Sequence, residues 1–341
     1  MSVVIDNVND GDTQTDALAP TTLIERLANN KKMLEETLSA TIRGATPLLL
    51  AALGEVVSQR AGIINIGIEG MMLMGAFFGM VGSFYTAHVP FLAPGCGLLL
   101  AGIAGVCTAA LFAFFAIRLR ADQVIIGTAI TLLALGLTEV LYQRLFGVTG
   151  SALRVPSFQP LAIPLLSQIP FFGRAFFSHN LLVFLTFLLV PCVTFFLYHT
   201  RPGLHIRACG EHPKAVAAVG TNVTLLRTAS LLFAGAMAGI GGGYLSLADV
   251  PYFTPNMTVG RGFIALAIVI FGKWHPVKAC GAALLFGLGG ALDVRFQAFG
   301  WGIPHQVLLM LPYVLCLAVL AGFVGRAEAP AALGKPYPER E

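Results

Sequence analysis

Charged residues are scarce in this sequence. Asp, Glu, Lys and Arg make up 11% of its 341 residues, less than half of the roughly 25% that is usual in a soluble domain. Hydrophobic residues make up 56%, enough for about eight or nine transmembrane helices at roughly 20 apolar residues per crossing. The composition therefore excludes an ordinary soluble domain and predicts an all-α, polytopic integral membrane protein.

Several chemical motifs are missing as well. No G-x-x-x-x-G-K-[ST] sequence occurs, so the chain has no phosphate-binding loop and is not expected to hydrolyse ATP. The cysteines form no C-x-x-C pair and the histidines no ligand cluster, so neither a metal site nor a disulfide framework is predicted. No serine has an activating partner, so no catalytic residue is assigned. The scattered basic residues exclude a nucleic-acid partner.

The chain divides into three predicted parts. Residues 1–38 are polar and net acidic, and we expect disorder followed by a surface helix without a cleaved signal peptide. Residues 39–326 form the predicted transmembrane domain, and residues 327–341 a cytoplasmic tail. The apolar runs of the middle part fall at 41–58, 64–86, 91–117, 123–146, 179–200, 225–247, 262–272, 277–297 and 304–324.

Two places in the transmembrane domain are irregular. The run at 262–272 is long enough for only about half of a 30 Å hydrocarbon core, which predicts a half-helix. The sequence QRAGIINIGIEG, between the first two runs, contains three glycines and Asn65. These residues weaken a helix at membrane depth, where broken backbone persists only if protein or water covers it. A broken helix that lines a pathway is predicted there.

Lys and Arg mark the cytoplasmic loops, because such loops are enriched in positive charge. Basic residues lie at 118–120, in the loop 201–224 and just after it, at 273–278 and near the C-terminus. With nine crossings, this assignment leaves the N-terminus outside.

Three glutamates lie at apparent membrane depth: Glu55, Glu69 and Glu139. A charge in hydrocarbon costs several kcal/mol, so such groups usually face a cavity. Asn65 and Glu69 would share one face if this segment is helical, and would form a translocation surface. Alternatively, Glu69 is a structural acceptor for backbone N–H groups at a helix start.

A second polar line runs along the predicted helix at 123–146. Gln123, Gly127 and Thr131, with the neighbouring Thr128, are spaced to share roughly one face. They could line a pathway for a hydroxyl-rich solute, although threonines also bond back to the carbonyl four residues earlier for packing alone.

Small residues recur four apart at Gly235, Gly239 and Gly243, which predicts a face that another helix approaches closely.

The cytoplasmic loop 201–224 contains a predicted short helix. Glu211 and Pro213 are typical of a helix start, the residues at 215–219 continue it, and Gly220 ends it. Its alanine-rich surface would fit a groove on another protein and transmit motion, unless it is a plain connector.

Four segments carry a resemblance to a known family: QRAGIINIGIEGMMLMGAF, ADQVIIGTAITLLALGLT, GEHPKAVAAVG and GRGFIALAIVIFGKWHP. Together with the C-terminal APAALGKPY they resemble the permease subunits of bacterial ATP-binding-cassette importers of the branched-chain amino acid, ribose and nucleoside group. The resemblance covers roughly residues 40–335 and is closest to the nucleoside, or simple-sugar, branch.

The resemblance implies an assembly in the bacterial cytoplasmic (inner) membrane. Its expected partners are cytoplasmic ATPase subunits, a second homologous permease, an extracytoplasmic solute-binding protein and membrane lipid. ATP would bind to the ATPase subunits, and no cofactor is expected on this chain. In relatives, Asn often stands where this chain has Thr131.

Residues are assigned to two roles on this basis. The predicted translocation pathway comprises Asn65, Gly67, Glu69, Gly70, Gln123, Thr128, Thr131, Arg261 and Gly262. The predicted contact with the ATPase comprises Arg207, Gly210, Glu211, Pro213, Lys214, Ala218 and Gly220.

The expected function is that of a transmembrane permease subunit of an importer for nucleosides or simple sugars. The alternative is a secondary carrier for a small polar solute, driven by an ion gradient through the three membrane-depth glutamates. A third possibility is a scaffold or channel that performs no active transport, for which the glycine-rich face would suffice.

Overall fold

The computed structural model of the chain describes residues 23–147, 153–162, 176–298, 310, 314 and 328–337. The helices in these ranges are α1 (Leu23–Arg60), α2 (Ile68–Tyr85), α3 (Ala93–Ala113), α4 (Gln123–Phe146), α5 (Leu181–His199), α6 (Arg201–Glu211), α7 (Pro213–Ala218), α8 (Val223–Tyr244), α9 (Arg261–Phe271) and α10 (Pro276–Ala298). Helices α3 and α8 continue as π-helical turns at Phe114–Arg118 and Leu245–Asp249. Two short antiparallel strands, β1 (Leu161–Ala162) and β2 (Ser178–His179), pair with each other.

Seven helices in the described part of the chain are long and apolar enough to cross a membrane. Each matches a predicted apolar run, and α4 coincides with its run at 123–146. Helix α9 has 11 residues and matches the predicted half-helix. The all-α, polytopic prediction is thus confirmed, and the ninth predicted run, at 304–324, lies outside the described residues.

Helix α1 is longer than expected. The sequence predicts a surface helix that is separate from the first span, but the two form one continuous helix, Leu23–Arg60. The reason is local, because no glycine or proline precedes Gly44 in this helix and the charged residues at 31–36 are good helix formers. The predicted boundary at residue 38 therefore falls within a helix.

Helix α8 lies at the centre of the bundle and packs against α1, α2 and α3. A side chain on Gly239 would overlap the carbonyl oxygen of Ala101 and lie 3.0 Å from the Cα atom of Gly105, both on α3. On another side, a Cβ atom on Gly242 would overlap the Met72 carbonyl of α2. The predicted close-approach face is confirmed, and it serves more than one neighbour.

The C-terminal end of α1 meets the turn that follows α9. Arg60 donates from Nε to the Trp274 carbonyl at 3.0 Å, in the basic region that is predicted to be cytoplasmic. At a rise of 1.5 Å per residue, α9 is roughly 16 Å long, about half of a 30 Å hydrocarbon core. Helix α9 is therefore too short to cross the membrane by itself.

The packing of α8 generates a first prediction, for Gly239→Ala and the matched control Gly136→Ala. A Cβ atom on Gly239 meets α3 backbone, whereas one on Gly136 of α4 meets nothing within 4 Å. Gly239→Ala should destabilise the protein by about 1–3 kcal/mol through overpacking. Gly136→Ala should be neutral or stabilise it by up to about 1 kcal/mol, because alanine favours the helix. Thermal denaturation in detergent measures both, and equal effects would contradict the packing argument.

Candidate functional site

The chain is not helical between α1 and α2, at residues 61–67, which we call the helix break. Side chains from α1 and α4 accept hydrogen bonds from backbone N–H groups of the break that have no helical partner. Ile64 N–H donates to Gln123 Oε1 at 2.8 Å, and Asn65 N–H donates to Glu55 Oε1 at 3.1 Å. Most residues of the break are buried, and buried backbone groups need partners of this kind, so the break depends on these polar residues. The predicted broken helix is therefore present.

Glu69, in the first turn of α2, holds the start of the half-helix α9. Its Oε1 atom accepts hydrogen bonds from Thr258 Oγ1 at 2.6 Å and Gly260 N–H at 2.8 Å, and its Oε2 atom accepts from Gly262 N–H at 2.6 Å. Glu69 is only 4% exposed. A carboxylate in this position satisfies free N–H groups and complements the helix dipole. The structural-acceptor alternative for Glu69 is thus confirmed, although the helix it caps is α9 rather than its own.

Two glycines allow neighbouring helices to approach α2 at this point. A Cβ atom on Gly262 would lie 2.6 Å from the backbone nitrogen of Glu69. A Cβ atom on Gly70 would lie 3.0 Å from the Cα atom of Thr131 on α4. Real Cβ atoms are not accommodated at the first of these distances, so the cap on α9 requires glycine at position 262.

The polar line on α4 is only partly as predicted. Gln123, Gly127 and Thr131 are buried against the helix break, where a Cβ atom on Gly127 would lie 2.8 Å from Gly67 N. Thr131 Oγ1 donates to the Gly127 carbonyl at 3.0 Å, which is the local packing bond. Thr128 is exposed, so the prediction that it shares this face is wrong. One residue advances about 100° around a helix, which turns Thr128 away from Gly127.

Asn65 also differs from the prediction in one respect. It precedes α2, which begins at Ile68, so it does not share a helical face with Glu69. Its side chain is buried, and Nδ2 donates to the Met71 sulfur at 3.4 Å. The two residues therefore act on different backbone segments, Asn65 within the break and Glu69 at α9.

Arg261, the first residue of α9, borders a large cavity. Its Nη1 atom lies 3.7 Å from Asp249 Oδ2, and both side chains are more than one-third exposed. The cavity has a volume of about 930 Å³ and lies between α1, α9 and α10. Its charged lining consists of Glu36, Arg43, Asp249, Arg261, Asp293 and Arg295.

Sequence reasoning identified only Arg261 among these charged residues. Glu36 was assigned to the N-terminal extension, although Glu36, Arg43 and Gly44 follow a helical spacing that would have placed them on one face of α1. Opposite charges are equally represented in the lining, so the cavity is polar without a strong net charge.

The predicted cytoplasmic helix is present as α7, Pro213–Ala218, but Glu211 is the last residue of α6 and not part of the start of α7. Gly220 follows it with φ +80°, as the predicted end of the helix requires. Val216 is its buried side chain, whereas Lys214 and Ala218 are exposed. Helix α6, which precedes it, was not predicted. Its amphipathic pattern is detectable from sequence. The prediction for the loop 201–224 rested on residues 211–220 and therefore missed α6.

The other residues predicted to contact an ATPase face this chain itself. Arg207 Nε donates to the Leu197 carbonyl at 2.9 Å, and its guanidinium lies 4.8 Å from the centre of the Tyr198 ring. A Cβ atom on Gly210 would overlap the Arg60 carbonyl. Glu211 Oε2 accepts from Ala331 N–H at 3.2 Å. Arg207 and Gly210 thus hold α6 against α5 and the end of α1, whereas the exposed Glu211 bonds to the C-terminal segment.

A small apolar cluster lies beneath α7 and consists of Cys209, Val216 and Val223. Burial raises the pKa of the Cys209 thiol, and Arg227 opposes this effect. Cys209 is therefore a packed, protonated side chain at neutral pH rather than a reactive thiolate.

The structure thus separates the predicted residues into two groups. One group surrounds the helix break and the start of α9, and the other lies on α6 and α7. Within the described ranges, no three His, Cys, Asp or Glu side chains come together as metal ligands.

Comparison with known proteins gives matches over most of the chain. The family model described as branched-chain amino acid transport system / permease component matches residues 37–324. The guanosine ABC transporter permease protein NupQ of Bacillus subtilis is 39% identical over 313 residues, which cover 90% of this chain and 97% of NupQ. No solved structure gives a significant match.

Two further relatives align over similar lengths. The nucleoside ABC transporter permease protein NupC of Lactococcus lactis is 38% identical over 297 residues, 86% of this chain and 93% of NupC. The putative glucose ABC transporter permease protein TsgC13 of Haloferax volcanii is 37% identical over 327 residues, 88% of this chain and 96% of TsgC13. With its membrane-spanning helices, the chain belongs to the branched-chain amino acid transport system / permease component family and is a multi-pass permease subunit of an ATP-binding-cassette importer in the cytoplasmic membrane.

Proposed function

We propose that this permease carries nucleosides or simple sugars into the cell. The observation that carries the proposal is its similarity, over at least 86% of its length, to permeases named for guanosine, nucleosides and glucose. The cavity at the start of α9 supports it, because its acidic and basic side chains balance. Such a lining suits an uncharged solute with many hydroxyl groups better than an ion.

ATP binds to separate cytoplasmic ATPase subunits in this proposal, and this chain needs no cofactor. The remaining partners are a second homologous permease, which completes the pathway, and an extracytoplasmic solute-binding protein, which delivers the solute. The exposed surface of α7 supports an ATPase contact. Val219, directly after α7, is 73% exposed, so its side chain is available for such a contact.

The proposed pathway includes the helix break and the start of α9. Asn65, Gly67, Glu69 and Gly70 hold the break and cap α9, while Gln123 and Thr131 support the break from α4. Arg261 lines the cavity, and Gly262 donates its N–H group to Glu69. Thr128 faces away from this group, so it would line the pathway only where the second permease packs on that face of α4.

The glutamates give little support to an ion-driven carrier. Glu55 and Glu69 accept hydrogen bonds from backbone N–H groups, and Glu139 lies on the exposed face of α4. A proton relay needs groups that hand a proton to one another, and these three act in separate places. The structural roles of Glu55 and Glu69 account for their burial without transport of an ion, and the exposed Glu139 needs no buried partner.

The test is purification from the native membrane in mild detergent, followed by uptake in proteoliposomes. We expect an ATPase subunit and a second permease to co-purify, and uptake of radiolabelled guanosine or glucose to require ATP. An ionophore should leave uptake unchanged while ATP is held constant. Uptake that collapses with the ionophore and ignores ATP would instead support the carrier.

A second prediction concerns the ATPase contact, through Val219→Asp and the control Val89→Asp. Val89 lies between α2 and α3, on the opposite side of the membrane, and is 39% exposed. Burying an unpaired carboxylate in an interface is costly, so Val219→Asp should reduce co-purifying ATPase by about tenfold or more. Neither variant should change the thermal stability of the permease alone. Equal ATPase recovery from both variants would remove α7 from the interface.

A third prediction tests the α9 cap, through Glu69→Gln and the control Glu139→Gln. The amide has one acceptor oxygen where the carboxylate has two, so at least one of the three donors at Glu69 loses its partner, at a cost of about 1–3 kcal/mol. We expect lower thermal stability and uptake reduced by about tenfold. Glu139 is exposed and lies 3.5 Å from Gln143 Nε2, so its variant should behave like the wild type.

A further inference from the structure

The segment 330–337, which we call the C-terminal strap, binds back onto the cytoplasmic side of the bundle. Ala332 N–H donates to the Gly210 carbonyl at 2.8 Å, at the end of α6. Two residues later, Gly334 N–H donates to the Gly62 carbonyl at 3.0 Å, in the helix break. One short strap therefore bonds to both functional regions.

Arg227, near the start of α8, adds a third link between the strap and the break. It is 3% exposed, its Nε atom donates to the Ala61 carbonyl at 3.2 Å, and its Nη1 atom donates to the Lys335 carbonyl at 2.9 Å. The described residues place no carboxylate within ion-pair distance of it. A buried cation of this kind depends on its carbonyl acceptors, so strap and break are held together through it.

The other end of the strap packs under α7. Tyr337 contacts the cluster of Cys209, Val216 and Val223, and Val216 is the buried side chain of α7. A six-residue helix with one anchoring side chain has few contacts of its own. Tyr337 therefore forms one wall of the pocket that holds α7 in place.

The turn of the strap fits the helix break closely. Gly334 has φ +75°, and a Cβ atom on it would lie 3.0 Å from Ile64 Cδ1. Ile64 is adjacent to Asn65 and donates its N–H group to Gln123. The strap thus contacts Ile64, the residue through which the helix break bonds to α4.

We propose that the C-terminal strap is a positioning segment that transmits movement of α7 to the helix break. When α7 moves, Tyr337 moves with it, and Ala332 moves with the end of α6. Gly334 and Lys335 then transmit this movement to the helix break. The break leads directly into α2, where Glu69 holds α9. This inference rests on the proposed function, because an ATPase must move α7.

The test uses the complete transporter with its ATPase, permease and solute-binding partners, and compares Tyr337→Ala with Tyr337→Phe. Tyr337→Ala removes the ring that packs against Val216 and should leave assembly intact. ATP hydrolysis should continue, while solute uptake per ATP hydrolysed falls by about fivefold or more, within the range of allosteric coupling. Tyr337→Phe keeps the ring and should restore the wild-type ratio.

A second pair of variants alters the length of the strap. A chain that ends at Tyr337 lacks only the last residues, 338–341, and should transport normally. A chain that ends at Ala329 lacks the whole strap and should show the same loss of coupling as Tyr337→Ala. Normal uptake per ATP in the chain that ends at Ala329 would overturn the inference.

Hydrogen exchange gives a readout that does not depend on uptake. In Tyr337→Ala, amides of the strap and of residues 61–67 should exchange faster together, whereas amides of α3 should not change. Unchanged exchange at 61–67 would overturn the proposed link even if uptake were lost. If the wild-type complex shows no ATP-dependent uptake, the proposed function is wrong. If the wild type is active and Tyr337→Ala is equally active, only the proposed role of the strap is wrong.

Discussion

The Glu69 carboxylate determines how the centre of this protein is arranged. It gathers a hydroxyl group and two backbone N–H groups at the start of α9, in a region where water does not compete for them. Without this acceptor, the start of α9 would leave buried donors without partners. The short α9, the glycine at position 262 and the close approach of α2 all follow from that requirement. The helix break has the same need, which Gln123 and Glu55 meet.

Close packing of glycines makes these hydrogen bonds geometrically possible. Helix α8 presents glycines to α2 and α3, so backbones approach to distances that no larger side chain allows. In lipid there is little hydrophobic gain from bringing helices together, and close van der Waals contact takes its place. The polar residues of the break are thereby kept within reach of their backbone partners. The hydrogen bonds of buried polar groups therefore depend on the close packing of the glycines.

Only a few residues separate the two groups of predicted site residues. The proposed pathway is centred on residues 61–70 and the start of α9, and the proposed ATPase contact lies on α6 and α7. The end of α6 touches Arg60, and the strap touches Gly62. A bundle this tightly packed responds to force by shifting between discrete arrangements rather than by bending. Direct contacts through the strap therefore connect α7 to the break, as the proposed coupling requires.

The sequence by itself determined the membrane class, the positions of seven spans, the half-helix, the break and α7. These features are local, because run length, glycine content and capping residues act within a few positions of one another. Only the tertiary structure decided which helix Glu69 caps, that Thr128 faces away from Thr131, that charged residues of α1 line the cavity, and where the C-terminal strap binds. Gly62 and Gly334, like Glu69 and Gly262, lie far apart in the chain. No local pattern encodes such pairings, because they depend on how all the helices pack at once.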